Sequence, residues 1–169
     1  DQCQAGCRDD AGCPGELVCV GNQCVEPPEC RNVNAITDVA ENGGAFNFDG
    51  VGQASGYLGG CGGVGPEAIY KVTVVEFSQM RVTATGDTPR DRASIYLRRE
   101  CDNSFSEVDC QSGAQAVSLQ FQRIDPGTYY IFVDSQRQGA GSFEVSIELA
   151  ALEPECGRDP DCPGTSICV

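Results

Sequence analysis

The sequence contains no histidine, and this absence limits the chemistry that the chain can perform. Histidine is the usual general base for serine and cysteine nucleophiles, so a hydrolase of that type lacks its proton acceptor here. The glycine run over residues 59–65 lacks the Gly-Lys-Ser/Thr ending of a phosphate-binding loop. Asp9 and Asp10 could do acid–base work, but they lie in a short loop between cysteines and are better interpreted as solvated turn residues. We predict that the protein is not an enzyme.

Positive charge and long hydrophobic runs are also scarce. Lysine and arginine number 11 against 25 acidic residues, so the formal net charge is −14 and the pI is about 4.1. Nucleic acid is an unfavourable partner for such a chain, because phosphate contacts need cationic side chains. No apolar stretch approaches the roughly 20 residues that span a bilayer. No signal peptide is present, so we expect Asp1 to begin either a processed form or one unit of a longer chain. No Asn-x-Ser/Thr sequon occurs in the sequence.

Cysteine, in contrast, is abundant and unevenly distributed. Of the 12 cysteines, six lie in the first thirty residues, three in the last fourteen, and three between them. This pattern is typical of an oxidising compartment, so we predict an extracellular or cell-surface protein. Cys3–Cys7 and Cys19–Cys24 have spacings that zinc ligands could use. The lack of histidine and of any Cys-x2-Cys pair favours disulfides over zinc.

A cysteine unit occurs at both ends of the chain. Residues 7–20 and 156–169 share the pattern Cys-x5-Cys-Pro-Gly-x3-Cys-Val, and the first copy adds a fourth cysteine, Cys24. Gln2-Cys3 resembles the end of that complete copy. The match predicts head-to-tail assembly, between separate subunits or within a longer tandem polypeptide, with local pairing of Cys3 as a third alternative. The cysteines that would join neighbouring units are Cys3, Cys156, Cys162 and Cys168.

Short proline-containing spacers divide the chain into three parts. They lie at residues 26–29 and 152–155, where proline favours extended backbone. We predict a disulfide-rich segment over 1–29, a central domain over 30–152, and an incomplete second cysteine unit over 153–169. The end segments have no apolar run long enough to build a core, so covalent staples must stabilise them.

The central domain is predicted to be all-β. Apolar and polar residues alternate over 142–149, and shorter alternations occur at 81–84, 94–98 and 117–121. Residues 69–75 and 128–133 are more continuously apolar, as expected of central strands. No segment has a sustained period of 3.6 residues, and glycine-containing turns separate the strands. Several short strands of this kind predict a β-sandwich or a barrel.

The spacing of the cysteines suggests how they pair. Cys101 and Cys110 would close a small loop between two strands, which leaves Cys30 to join Cys61. In the first cysteine unit we favour pairing of the first cysteine with the third and of the second with the fourth, although four cysteines allow three connectivities. The cysteines of that unit are Cys7, Cys13, Cys19 and Cys24.

The central domain resembles the bacterial pre-peptidase C-terminal (PPC) domain. The similarity lies in Cys61-Gly62-Gly63, in residues 65–70, in Ile95-Tyr96-Leu97-Arg98 before Cys101, and in residues 127–134. It implies a jelly-roll-like β-sandwich and an extracellular module for adhesion, targeting or spacing. Some relatives bind calcium, but no ligand set carries over. The flanking units resemble cysteine-rich repeats of large secreted proteins of the myxobacterial type.

Three groups of residues are candidate sites, each with a structural alternative. Calcium is a possible cofactor, because oxygen-rich loops suit this cation; the candidate ligands are Asp9, Asp10, Asp159 and Asp161. An aromatic binding face could be formed on the strands, although burial on both faces of a sheet is the simpler interpretation; its residues are Tyr96, Tyr129, Tyr130 and Phe132. Arg98 and Arg99 are expected to be either a solvated strand end or ion-pair partners.

These observations predict a secreted bacterial structural module that assembles head-to-tail into a disulfide-stabilised extracellular fibre or tandem array. Its partners would be copies of itself and, in addition, an extracellular polymer or a cell surface. The alternative is a binding module that tethers a cell or an enzyme to a polysaccharide or protein ligand. An exposed aromatic strip or a calcium-dependent affinity would favour that alternative.

Overall fold

The computed structural model describes residues 18–20, 23–25, 30, 36–51, 53, 55–137 and 141–152. Two short strands, β1 (Val18–Val20) and β2 (Gln23–Val25), form an antiparallel ribbon in the first cysteine unit. Cys24 in β2 is disulfide-bonded. The other described strands build the central domain. They are β3 Thr37–Asp38, β4 Gly43–Asp49, β5 Glu67–Val74, β6 Ser78–Gly86, β7 Arg92–Arg98, β8 Glu107–Ala114, β9 Ala116–Ile124, β10 Gly127–Ser135 and β11 Ser142–Ala151.

The central domain is a two-layer sandwich, which confirms the predicted all-β fold class. One sheet has the order β3-β5-β10-β7-β8 and the other the order β4-β11-β6-β9. Strand β3 runs parallel to β5, whereas the other pairs in the two sheets are antiparallel. No helix in the described part of the chain is long and apolar enough to cross a membrane.

The main core lies between the two sheets and follows the alternation in the sequence. In β11, Phe143, Val145 and Ile147 are buried, and the residues between them face outward. Val82 and Leu119 supply the same layer from β6 and β9. The facing sheet contributes Val72, Ile95 and Ile131, among others. The alternation of apolar and polar residues in the sequence therefore predicted the buried face of β11 correctly.

The chain enters and leaves the sandwich at the same end. Cys30 is bonded to Cys101, which follows the end of β7. At this end the Leu152 amide also donates a hydrogen bond of 2.8 Å to the Phe77 carbonyl, in the turn before β6. We call this end, formed by turn 75–77, loop 99–106 and turn 125–126, the linker end. Cys30 and Leu152 are therefore both attached to segments at this end of the sandwich.

The predicted pairing of the central cysteines is wrong. Cys30 bonds to Cys101, and Cys61 bonds to Cys110, with Cα atoms 5.1 Å and 5.6 Å apart. The reason is the register of β7 and β8, in which Cys110 lies opposite Tyr96. Cys101 follows the end of β7, several residues further along, and so is displaced along the strand direction from Cys110. A disulfide cannot bridge such a displacement, since its Cα atoms must lie within about 7 Å.

Candidate functional site: a polar layer beneath the glycine loop

Polar and aromatic side chains are concentrated on the outer face of the five-stranded sheet. Cross-strand neighbours point to the same side of a sheet, so the register defines rows of side chains that run across the strands. The acid row contains Glu67, Asp134 and Ser94; the aromatic row contains Ile69, Phe132, Tyr96 and Cys110; the arginine row contains Lys71, Tyr130, Arg98 and Glu107. This face has a smaller hydrophobic cluster of its own.

Residues 55–66, which we call the glycine loop, cover these rows. The Gly56 amide donates to the Glu67 carboxylate at 2.9 Å, and the Gly60 amide donates to Glu107 at 3.0 Å. The disulfide between Cys61 and Cys110 fixes the middle of the loop to the edge strand β8. The loop thus donates hydrogen bonds to acids from two strands, and it covers the three rows, most of whose residues are buried.

Arg98 is the cation at the centre of this layer, and only 2% of its surface is exposed. Its Nη2 donates a 2.7 Å hydrogen bond to the Leu58 carbonyl in the glycine loop and lies 3.7 Å from Oε2 of Glu107. The guanidinium carbon lies 4.9 Å from the ring centroid of Tyr96 and 5.0 Å from that of Phe132. The buried charge of Arg98 is tolerated because a carbonyl, a carboxylate and two aromatic rings surround the guanidinium in place of water.

The two arginines that the sequence placed together have different environments. Arg98 is not a solvated strand end, since the glycine loop covers it; the alternative interpretation, an ion-pair partner, describes it. The side chain of Arg99 is 52% exposed, forms an ion pair with Asp125 at 3.6 Å and stacks on the Tyr129 ring. Arg98 is the last residue of β7 and faces the covered layer, whereas Arg99 begins loop 99–106, so only one of the two enters that layer.

Glu67 and Asp134 form a buried acid pair beneath the glycine loop. They are directly opposite in the β5–β10 ladder and are 1% and 0% exposed. Among the described residues, neither carboxylate oxygen of Asp134 has a hydrogen-bond partner. Burial, together with the neighbouring charge of Glu67, raises the pKa of Asp134 to about 8. Burial also raises the pKa of Glu67, although backbone amides such as that of Gly56 oppose the rise.

The glycine loop approaches this acid pair more closely than a side chain would allow. Gly63 has φ of +105°, and a Cβ atom built on it would collide with the carboxyl group of Asp134. Gly62 also has positive φ, +104°, but the nearest atoms to a Cβ there are 3.9 Å away. Backbone conformation therefore favours glycine at both positions, and close packing on Asp134 requires it only at Gly63.

Two tyrosines complete the layer. The Tyr57 hydroxyl, in the glycine loop, donates to Oδ1 of Asp102 at 2.5 Å. Tyr96 is fully buried and stacks on Phe132, with ring centroids 4.6 Å apart. Its hydroxyl has no hydrogen-bond partner within the described part of the chain. Burial raises the pKa of both phenols above the usual range, so neither ionises at physiological pH.

The structure brings together some of the residues singled out in the sequence and separates others. Tyr96, Tyr130 and Phe132 share the outer face, but they are covered, and Tyr129 faces the core between the sheets. They do not form an exposed aromatic strip, so the simpler interpretation, burial on both faces, is the one observed. The candidate calcium ligands at 9–10 and 159–161 lie outside the described residues, as do the cysteines proposed to join neighbouring units. Within the described ranges, no group of three or more Asp, Glu or Cys residues could hold a metal ion.

Sequence reasoning missed the acid pair. Glu67 begins a strand, and Asp134 directly follows the apolar run 128–133. Both positions are common for surface charges. The available signal was weak: each acid is attached to a strand predicted to be buried on both faces. Such strands leave little room for a solvated carboxylate near their ends.

The linker end differs from this sealed layer because it exposes large apolar side chains. Phe105 is 98% exposed, Val75 68% and Phe77 42%. Arg123 lies over the Phe77 ring, 3.8 Å from its centroid. Arg99 and Asp125 connect loop 99–106 to turn 125–126 across the same end. The domain thus has a covered polar layer on one sheet and, at the linker end, apolar and charged side chains that are exposed to solvent.

Comparisons with known proteins identify the fold but no family. No protein-family model matches the sequence, and no curated protein does. The PPC domain of a collagenase from Bacillus anthracis is similar in structure: it has a TM-score of 0.52 at 15% identity, with 70% of this chain and 99% of that chain covered. The sandwich is therefore PPC-like in fold, as the resemblance in the sequence implied.

Two further solved structures are more distant. PliG from Aeromonas hydrophila, a periplasmic inhibitor of g-type lysozyme, has a TM-score of 0.42 at 12% identity, with 68% of this chain and 96% of that chain covered. CorA from Methylomicrobium album BG8, a surface-associated copper-binding protein, has a TM-score of 0.43 at 8% identity, with 70% and 98% covered. At these levels of similarity, neither protein bears on the function of this chain.

Proposed function

We propose that the protein is an extracellular, non-catalytic structural module, copies of which join head-to-tail into a disulfide-stabilised fibre or tandem array. The observation that carries the proposal is the position of Cys30 and Leu152 at one end of the sandwich. In such an array, the cysteine units form the connector, and each sandwich projects from it as a side branch.

The sealed layer supports a mechanical function over a chemical one. Arg98, Glu67 and Glu107, which could act as acids, bases or anion ligands if exposed, instead hold the glycine loop on the sheet. The disulfides at Cys30 and Cys61 close long loops around this layer and so disfavour the unfolded chain. A negative net charge would keep neighbouring fibres apart.

Denaturing gels of the native material, with and without reductant, together with intact mass, test the array. Subunits joined by disulfides would give a ladder that collapses on reduction to the 17.9 kDa of the chain. A large mass that survives reduction would indicate a tandem polypeptide. A single band of chain mass in both lanes would contradict covalent assembly. Cys3→Ser should shorten the ladder only if separate subunits are joined through that residue.

A second candidate function, binding of an extracellular polysaccharide, is favoured by the outer face of the four-stranded sheet. Its central row is short and polar: Thr83 Oγ1 lies 3.3 Å from Ser118 Oγ, and Ser146 is the cross-strand neighbour of Thr83. A row of hydroxyls can exchange hydrogen bonds with sugar hydroxyls. Co-sedimentation with cellulose and chitin tests this function. Ser118→Arg should abolish binding if this face is responsible, whereas Thr128→Arg, on the other sheet, should leave it unchanged.

A further inference from the structure

Residues 62–65 cross directly over Asp134, and we call this part of the glycine loop the flap. The amides of Val64 and Gly65 donate to one acceptor, the Ser135 carbonyl, at 3.2 Å and 2.8 Å. Val64 is the one flap residue with a side chain, and it is 51% exposed. Within the described fold, the flap is therefore closed by two hydrogen bonds to Ser135 and by its close approach to the Asp134 carboxyl.

Both ends of the flap are fixed by other contacts. Cys61, directly before it, is bonded to Cys110, and Pro66, directly after it, accepts a 3.1 Å hydrogen bond from the Ser135 amide. Two flap glycines have positive φ, and their backbone can change conformation without the cost of a Cβ atom. An opening of the flap is thus confined between two fixed points, as in the local openings that proteins undergo without unfolding.

The carboxyl group beneath the flap is poorly suited to carry a charge. Asp134 is fully buried, and among the described residues neither of its carboxylate oxygens has a hydrogen-bond partner. Glu67, directly opposite in the β5–β10 ladder, adds a second acid at the same place. An ionised carboxylate in such surroundings lacks both water and donors, so the closed flap favours the protonated acid. The raised pKa of Asp134, about 8, agrees with this geometry.

The other groups that face Asp134 do not supply a compensating charge. On β7, Ser94 is its cross-strand neighbour, and Tyr96 and Arg98 follow on the same face. Tyr96 is neutral at physiological pH, and the Arg98 guanidinium is engaged by the Leu58 carbonyl and Glu107. Residues 58–66 of the glycine loop contain no Asp, Glu, Lys, Arg or Tyr. Glu67 is therefore the charged group that most directly opposes ionisation of Asp134.

We propose that the flap is a proton-controlled cover, which stays closed while the Asp134 carboxyl is protonated and opens when that proton leaves for solvent. The O–H bond is the only covalent bond that breaks, and water then solvates the acid pair. The closed state retains a proton that the open state releases. The opening equilibrium should therefore rise about tenfold per pH unit between the ordinary aspartate value near 4 and about 8. The proposal is independent of the array, since it concerns a single chain.

Amide hydrogen exchange of the full chain, followed by NMR between pH 5 and 8, tests the flap. When closing is faster than chemical exchange, an amide that opens without proton release accelerates about tenfold per pH unit, as hydroxide concentration rises. Val64 and Gly65 should accelerate about a hundredfold per pH unit, because the opening itself adds a factor of about ten. Gly60, which lies before the disulfide and donates to Glu107, should accelerate only tenfold. A tenfold rise at the flap amides would overturn the proposal.

Urea distinguishes a local opening from unfolding of the whole domain, which also releases the proton of Asp134. The flap exposes little surface when it opens, so exchange at Val64 and Gly65 should be insensitive to low concentrations of urea. Exchange of the Ile131 amide, in the central strand β10, should accelerate steeply. If the flap amides had the same urea dependence as Ile131, the flap would not open by itself and the proposal would be wrong.

Substitution of the proposed proton carrier should remove the additional pH dependence. Asp134→Asn cannot ionise, so exchange at Val64 and Gly65 should rise only tenfold per pH unit in this variant. Asp109→Asn, an exposed acid on the edge strand β8, is the matched control and should retain the hundredfold rise. A hundredfold rise that persists in D134N would assign the released proton to another group and refute the proposal.

A variant that keeps the flap closed provides a test that misfolding cannot imitate. Glu67→Gln retains an acceptor for the Gly56 amide but removes the charge opposite Asp134. The ionised Asp134 is then better tolerated beneath the closed flap, so exchange at Val64 and Gly65 should be several-fold slower than in the parent at pH 8. Unchanged or faster exchange in E67Q would contradict the proposed coupling between the acid pair and the flap.

Discussion

Glu67 and Asp134 lie directly opposite each other across the β5–β10 ladder, and both carboxyl groups are buried. Two ionised carboxylates in such a position repel each other and have lost most of their water. The pKa of Asp134, raised to about 8 by burial and by Glu67, means that Asp134 is mainly protonated at neutral pH. The fold therefore retains a proton beneath the glycine loop that an unfolded chain would release.

The first prediction concerns the pH dependence of stability. An ordinary aspartate has a pKa near 4, so between that value and about 8 the folded chain binds more protons than the unfolded chain. The free energy of unfolding should therefore fall as pH rises through this window and level off above it. Asp134→Asn cannot ionise and should remove most of the slope. At pH 9 this variant should be more stable than the parent by several kcal/mol, as measured by chemical denaturation.

Asp109→Asn is the matched control for this prediction. Asp109 is an exposed acid on the edge strand β8, so its substitution should leave the pH profile unchanged. Groups near Asp134 have to be considered as well, because Glu67, Tyr96 and Arg98 belong to the same covered layer. Glu67→Gln should shift the fall to a lower pH, since it removes the neighbouring negative charge. Parallel profiles for the parent and D134N would show that Asp134 is ionised in the fold.

The second prediction compares two neighbouring glycines with the same backbone conformation. Gly62→Ala should cost about 1–3 kcal/mol from positive φ alone, since a Cβ there meets nothing closer than 3.9 Å. Gly63→Ala carries the same strain and also drives a methyl group into the carboxyl of Asp134, which should add about 1–3 kcal/mol. Thermal unfolding of both variants measures the difference. Equal losses would mean that the glycine loop does not pack on Asp134.

The third prediction concerns Arg98 and its neighbour Arg99. Arg98→Met keeps the apolar stem but leaves the Leu58 carbonyl and Glu107 without their cation, and it should cost about 3–5 kcal/mol. Arg99→Met removes a solvent-exposed pair with Asp125 and the contact of its guanidinium with the Tyr129 ring, so its cost should be about 1 kcal/mol. Urea unfolding provides both values. If the two substitutions were equally mild, Arg98 would not hold the layer together.

The fourth prediction distinguishes the two central disulfides. Replacing Cys61 and Cys110 by serine should cost about 4 kcal/mol, the chain-entropy estimate for a cross-link across 49 residues. The glycine loop should then open locally, and chymotrypsin should cleave after Tyr57 or Leu58. Replacing Cys30 and Cys101 removes a cross-link of similar span, 71 residues, so its cost should be comparable. Limited proteolysis of that control should leave the glycine loop intact.

Patterns in the sequence predicted β5, β6, β7, β9, β10 and β11, whereas β3, β4 and β8 were not predicted. Alternation over 142–149 became β11, and the apolar runs at 69–75 and 128–133 became the adjacent strands β5 and β10. This works because the period of two residues is a property of the extended backbone and does not depend on which strands pair. The abundance of cysteine likewise indicated disulfides in the central domain without any knowledge of the pairing.

Which residues meet depends on the folded chain. Cys101 is near Cys110 in the sequence but bonds to Cys30, and Arg98 is buried although its neighbour Arg99 is exposed. Glu67 and Asp134 become opposite only because β10 lies beside β5 in the sheet order. Local patterns define the face of each strand, whereas register and sheet order are set by packing across the whole sandwich. For that reason the acid pair, the glycine loop's cover and the linker end could be found only in the folded chain.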